Sequence, residues 1–151
     1  MHHAVAHASD LARIRLMSSR VVLFSNPLAG RGKAAAVSDA LCGQLTDRHA
    51  IELFALPMPA GDLDRLRSLP AIDAAIVVGG DGTLQGVAEM LVDTRRPPPP
   101  ILVVPLGTAN LVAQHLALPW RHSLDVKSIA QALAARRTVE LDICRCNRRL
   151  F

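Results

Sequence analysis

Aromatic residues are scarce in this chain, with three Phe, one Trp and no Tyr. Single-stranded nucleic acid is held largely by stacking bases on aromatic side chains, so no nucleic-acid partner is expected. Cysteine is scarce too. Cys42, Cys144 and Cys146 are too few for a four-ligand zinc site, and an odd number argues against a disulfide framework. Reduced thiols in a cytoplasmic protein are the expectation. No apolar run approaches the roughly 18 residues of a membrane span, and residues 1–19 lack the long apolar core of a secretory signal. Excess charge is also small. The net charge of +4 is carried mostly by arginines spread along the chain, apart from Arg95-Arg96, Arg136-Arg137 and the group Arg145, Arg148 and Arg149. Such a balance suits a solvated surface, an anionic phosphate ligand or an acidic membrane surface.

What is present is apolar bulk. Half of the 151 residues are hydrophobic, enough for one buried core. Residues 1–19 read as a His-rich leader with a short helix over 11–17. From there apolar runs and helical patterns alternate. Val21 to Phe24 form a buried strand ending in Ser25-Asn26-Pro27, and a helix over 33–48 aligns Val37, Leu41 and Leu45 on one face. Strands are expected at 51–56, 74–78, 101–104 and 139–143, with helices over 62–69, after Thr83, over 109–116 and over 124–136. Pro97 to Pro100 form an extended connector in which no helix persists. Strands that are apolar throughout, each followed by a helix, imply a parallel sheet covered on both faces. The expected fold is α/β, an open doubly wound sheet in three α/β/α layers.

In such a sheet ligands bind beyond the carboxyl ends of the strands, and three strand ends carry unusual turns. The first is Asn26-Pro27-Leu28-Ala29-Gly30-Arg31-Gly32-Lys33, the second Gly79-Gly80-Asp81-Gly82-Thr83, the third Pro105-Leu106-Gly107-Thr108-Ala109-Asn110. Three glycines in four residues let backbone approach a ligand with no Cβ in the way, and a helix N-terminus favours phosphate oxygens there. Asp81 would repel a bare phosphate, so it would act through magnesium or on a substrate hydroxyl. A plain tight turn with Thr83 as helix cap is the alternative for that turn alone.

The first turn fits neither a Walker A loop, since Pro27 and Ala34 occupy positions needing Gly and Ser or Thr, nor a dinucleotide fingerprint, since Ala55-Leu56-Pro57 offers no ribose-binding carboxylate. It can still hold phosphate through backbone N–H groups and Lys33, with a plain helix N-terminus as the alternative for that turn alone. In the third turn Thr108 is either a helix cap or a phosphate contact, and Asn110 is placed to bridge to the neighbouring turn.

Taken together, Asn26-Pro27 with Gly30, Gly79-Gly80-Asp81-Gly82-Thr83 and Pro105-Leu106-Gly107-Thr108-Ala109-Asn110 resemble the signature of the diacylglycerol kinase catalytic domain. That family includes bacterial lipid kinases, sphingosine kinases and ceramide kinases. The resemblance runs over 20–151, and Val139-Glu140-Leu141-Asp142 looks like the family's crossover strand into a second, β-rich domain. It implies transfer of the γ-phosphate of ATP to the hydroxyl of diacylglycerol or a related lipid, with magnesium as cofactor. By position, Asn26, Gly30, Lys33, Gly79, Gly80, Asp81, Gly82, Thr83, Gly107, Thr108 and Asn110 would form the nucleotide site, with Asp81 catalytic. Gly86 stands where the family usually has a glutamate, and Leu56-Pro57 where related proteins often have a threonine.

The resemblance further implies that the β-rich second domain is missing here, so a truncated kinase domain that binds ATP weakly and transfers no phosphate alone is expected. The expected location is cytoplasmic with peripheral access to a membrane, and an uncovered face would favour self-association. The alternatives are a non-catalytic nucleotide-binding or interaction module and, less favoured by the first and third turns, an NAD kinase. His2, His3 and His7, Cys144 with Cys146, Trp120, His115 and His122 are assigned no role, with Trp120 expected in packing and His115 and His122 on helix surfaces.

Overall fold

Val21 to Phe24 and Ala75 to Val78 are apolar at every position, a pattern that is stable only where both faces of a strand are covered. In the computed structural model, which describes residues 19–92, 97–146 and 149–150, these runs are the two central strands of a parallel sheet. The sheet comprises β1 (Ser19–Ser25), β2 (His49–Ala55), β3 (Ala74–Gly79) and β4 (Ile101–Pro105), in the order β2-β1-β3-β4. Every residue from Val21 to Ser25 and from Ala75 to Gly79 is buried, whereas the edge strand β2 buries only Phe54. Val78 pairs with Ser25 on one side and Val104 on the other, which brings the carboxyl ends of β1, β3 and β4 level.

Side chains of successive strand residues alternate between two cores. On one face Val21, Leu23, Ile76 and Val78 pack against Leu41 and Leu45 of α1 (Ala34–Leu45) and Ile129 and Leu133 of α5 (Val126–Ala135). On the other face Val22, Phe24, Ala75 and Val77 meet Leu66 of α2 (Ala60–Ser68) and Val87 and Leu91 of α3 (Asp81–Val92). Phe24 and Phe54 stack there with ring centroids 5.8 Å apart. Each fully buried aliphatic or aromatic side chain contributes about 1.5–3 kcal/mol, so both layers of helices are fastened by these contacts rather than by helix propensity. The expected three-layer α/β/α sheet is therefore what the chain forms.

Two expected elements differ. Residues 139–143 form no strand; ladder pairing begins only at β5 (Arg145–Cys146), which pairs antiparallel with β6 (Arg149–Leu150). Val139, Leu141 and Ile143 alternate as strand residues do, yet all three are exposed, at 69%, 47% and 52%. Period-two alternation makes a strand only where a neighbour supplies the ladder, and among the described residues none does. The helix expected over 109–116 is shortened to α4 (Leu111–His115), because Asn110 is left-handed at φ +50° and cannot join it. The leader helix over 11–17 and the pair Arg95-Arg96 lie outside the described residues.

Candidate functional site

The chain leaves β1 for β2 on one side of the sheet and leaves β3 for β4 on the other. The loops therefore part between β1 and β3 and open a crevice at their carboxyl ends, the usual ligand position in such folds. All three glycine-containing turns converge on it.

In the first turn one asparagine organises the backbone. Asn26 N–H donates to the Val78 carbonyl at 3.1 Å, its side-chain carbonyl accepts from Leu28 N–H at 3.1 Å, and its Nδ2 donates to Thr83 Oγ1 at 3.2 Å. The first and second turns are thus tied side chain to side chain. Gly30, Arg31 and Gly32 follow with φ of +61°, +57° and +83°, after which α1 begins.

The second and third turns touch backbone to backbone. A Cβ built on Gly107 would lie 2.6 Å from the Gly80 Cα, and one built on Gly80 would lie 3.0 Å from the Gly107 Cα. Only glycine at both positions allows this approach. Leu106 N–H donates to the Gly79 carbonyl at 2.8 Å, holding the third turn against β3. Asn110 then brackets Gly107, its Oδ1 accepting from Gly107 N–H at 2.9 Å and its Nδ2 donating to the Gly107 carbonyl at 2.7 Å. Its amide is thus engaged within its own turn instead of bridging to the neighbouring one. The cap position of α4 is Asn110 and not Thr108, which stays exposed on the cleft. Helix α3 starts at Asp81 rather than after Thr83, because Leu84 N–H bonds the Gly80 carbonyl at 3.0 Å and closes a turn around the glycines. Its free N–H groups and positive dipole end consequently lie within the second turn itself.

The turns enclose a cleft of about 1150 Å³, ample for a nucleotide-sized ligand. Asn26, Gly30, Lys33, Gly80, Gly82, Thr83, Gly107, Thr108 and Asn110 line it. Gly79 lies behind them, buried at the end of β3 against Thr83. Asp81 does not line the cleft either. Its Oδ1 is 3.4 Å from Val112 N, a long contact at the start of α4. Sequence reasoning missed a fourth wall, the segment from Trp120 to Leu124, which brings Arg121 and His122 to the cleft together with Arg31 of the first turn. Trp120 is a packing residue as expected, 5% exposed with its indole N–H on the Val103 carbonyl at 2.9 Å. His122 lies in a bend rather than on a helix, while exposed His115 ends α4. Arginine and lysine reach this lining but no Asp or Glu does, so the cleft attracts anions.

Residues 20–146 match the family model of the diacylglycerol kinase catalytic domain. The chain belongs to that family. It is 29% identical over 119 residues to a Caenorhabditis elegans protein named as a candidate diacylglycerol kinase, an overlap of 78% of this chain and 12% of the relative. It is 28% identical over 109 residues to a diacylglycerol kinase of Mycobacterium tuberculosis, covering 68% of this chain and 33% of the relative. Among solved structures, a candidate diacylglycerol kinase of Bacillus anthracis str. Sterne superposes with a TM-score of 0.63 at 22% identity, over 88% of this chain and 47% of that one. The last likeness shows the fold. The chain spans a third or less of the two named relatives and under half of the solved structure. Among the described residues no helix is long and apolar enough to cross a membrane.

Proposed function

We propose that this domain holds ATP with its phosphates against the second and third turns and serves transfer of the γ-phosphoryl group to the hydroxyl of diacylglycerol or a related lipid met at a membrane surface. The observation that carries this reading is the backbone contact of Gly80 with Gly107 at the mouth of a helix N-terminus, in a cleft no carboxylate lines. A neutral or cationic ligand would gain little from two side-chain-free turns pressed together at a helix N-terminus. A phosphate chain gains close N–H donors, a helix dipole and the cations Arg31 and Lys33.

Phosphoryl transfer asks a protein mainly for positioning and charge neutralisation. Asn26 and Thr83 fix the first two turns relative to each other, Asn110 fixes the third, and the three turns hold the phosphates in place. When bound, magnesium supplies further neutralisation of the phosphate oxygens. Among the described residues no cluster of three or more His, Cys, Asp or Glu could cage the ion. Nucleotide-bound magnesium would need little from the protein, and Asp81, beside the cleft rather than in its lining, would be the carboxylate to reach it after turning away from Val112. The 3.4 Å contact to Val112 is weak enough for that carboxylate to exchange for the metal or for the acceptor hydroxyl.

That orientation of Asp81, with Gly86 in the glutamate position, also favours a second reading, a module that binds nucleotide without turning it over. Both readings are separated by titrating the chain with ATP and magnesium in a calorimeter, with Gly82→Asp as control and a parallel phosphotransfer assay on diacylglycerol. Gly82 faces open space, so the substitution leaves the fold intact while placing a carboxylate among the phosphates. ATP binding that is lost in Gly82→Asp supports the site in either reading, and lipid phosphate formed decides for the kinase. Binding with no product is expected both of the nucleotide module and of a kinase domain inactive by itself, and a folded chain that binds no nucleotide overturns the site.

A further inference from the structure

We infer that Arg121 is a phosphate-binding residue of this cleft, gripping the phosphate chain of a nucleoside di- or triphosphate from the β4 side. The inference rests on the nucleotide reading above and assigns a side chain outside the three glycine turns. Arg121 lines the cleft and is half-buried. Its segment is fastened independently of it, since Trp120 is buried and bonded to the Val103 carbonyl of β4. Arg121 N–H donates to the Leu118 carbonyl at 3.1 Å, and Nη1 of its guanidinium donates to the same carbonyl at 3.0 Å. One of five guanidinium N–H groups is thereby engaged, which steadies the fork and leaves four donors for a ligand.

Charge bookkeeping points the same way. The ion pairs among the described residues join Arg20 with Glu52, Arg65 with Asp62 and Arg67 with Asp64, and none involves Arg121. No carboxylate lines the cleft that could neutralise it. A half-buried arginine with no acidic partner beside phosphate-type turns is a cation awaiting an anion. The strand order completes the geometry. Arg31 follows β1 and Arg121 follows the β4 turn, and β3 with its glycine turn lies between those strands. A phosphate chain on the second turn would therefore be flanked by guanidinium groups from both neighbouring strands, and such charge-assisted, bidentate contacts are the strong ones.

The test is calorimetric titration of the whole chain with ATP, ADP and adenosine, comparing wild type, Arg121→Ala and Arg121→Lys at low and raised KCl. Arg121→Ala is expected to weaken ATP and ADP about tenfold or more while leaving adenosine unchanged, and to flatten the salt dependence of ATP binding. Arg121→Lys should recover part of the loss, since it keeps the charge and not the fork. Equal ATP affinity in wild type and Arg121→Ala overturns the inference alone. Equal weakening of ATP and adenosine, accompanied by a lower melting temperature, also overturns it, because the role would then be to fasten the loop. A wild-type chain that binds adenosine and ATP alike, or neither, removes the nucleotide-phosphate reading as well.

Discussion

The two ends of the sheet are built on opposite terms. At the amino end, polar groups are used up on one another. Arg20 pairs with Glu52 at 3.5 Å, Arg20 N–H donates to Asp73 Oδ2 at 2.7 Å, and Ser19 bonds to the His49 ring. At the carboxyl end, Asn26 is used up on its own turn and on Thr83 and Asn110 on the backbone of its turn, and Arg31, Lys33 and Arg121 face the cleft without a carboxylate in its lining. The amino end pairs much of its polar surface internally, although Arg48 and Arg136 stand near His49 there, whereas the carboxyl end combines positive charge with side-chain-free turns and a cleft. The difference supports the proposal that the carboxyl end faces the ligand, on physical grounds that do not depend on family likeness.

The largest effect expected from testing that contrast is at Gly107. Its added methyl in Gly107→Ala would meet the Gly80 Cα at 2.6 Å, which is backbone, and Asn110 Oδ1 at 2.7 Å, a side-chain end tied to Gly107 by two hydrogen bonds. Such overpacking is expected to cost about 3 kcal/mol in urea unfolding and to abolish ATP binding together with it. Asn26→Ala comes next. It removes the Thr83 bond and the Leu28 cap, and it is expected to cost about 1–2 kcal/mol while weakening ATP binding in calorimetry. Glu52→Ala at the opposite end breaks a pair whose side chains are 28% and 32% exposed, so a loss under about 1 kcal/mol with unchanged ATP affinity is expected.

Gly86→Glu reverses the sign. Gly86 lies inside α3 with open space around it, so a side chain there should stabilise the chain by about 0.5–1 kcal/mol in thermal unfolding. If the missing glutamate limits turnover, lipid phosphorylation should rise with it.

The smallest effect concerns pH at the amino end. Burial, followed by the charges of Arg136 and Arg48, holds the His49 ring below its ordinary range. The unfolded chain therefore takes up the proton first as pH falls, and stability should decline below about pH 6.5. His49→Gln should flatten that part of the profile and leave ATP binding as it was.

Much of this arrangement could be read from residues alone, because its signals are local. Apolar runs such as Val21 to Phe24 and Ala75 to Val78 announce central strands, and the glycines that follow Val78 directly announce a turn free of side chains. What escaped depends on contacts between distant segments. The approach of Gly80 to Gly107 requires β3 and β4 to be neighbours in register, which no local pattern states. Arg121 follows the third turn by a helix and a Pro119 stop, and only the docking of Trp120 on Val103 returns it to the cleft. Asp81 stands in the second turn, yet the direction of its carboxylate depends on where α4 begins. The alternation of Val139, Leu141 and Ile143 was genuine but not sufficient, since a strand also requires a partner.

The central claim is that phosphate binds at the carboxyl end of the sheet and not at the amino end. Backbone amide NMR of the chain titrated with ATP and magnesium tests it directly. The account predicts shifts at Gly30, Gly80, Gly82 and Gly107, with the amides of Arg20, His49 and Asp73 unmoved. Shifts confined to the amino end, or none at all in a folded chain at saturating ATP, would contradict it.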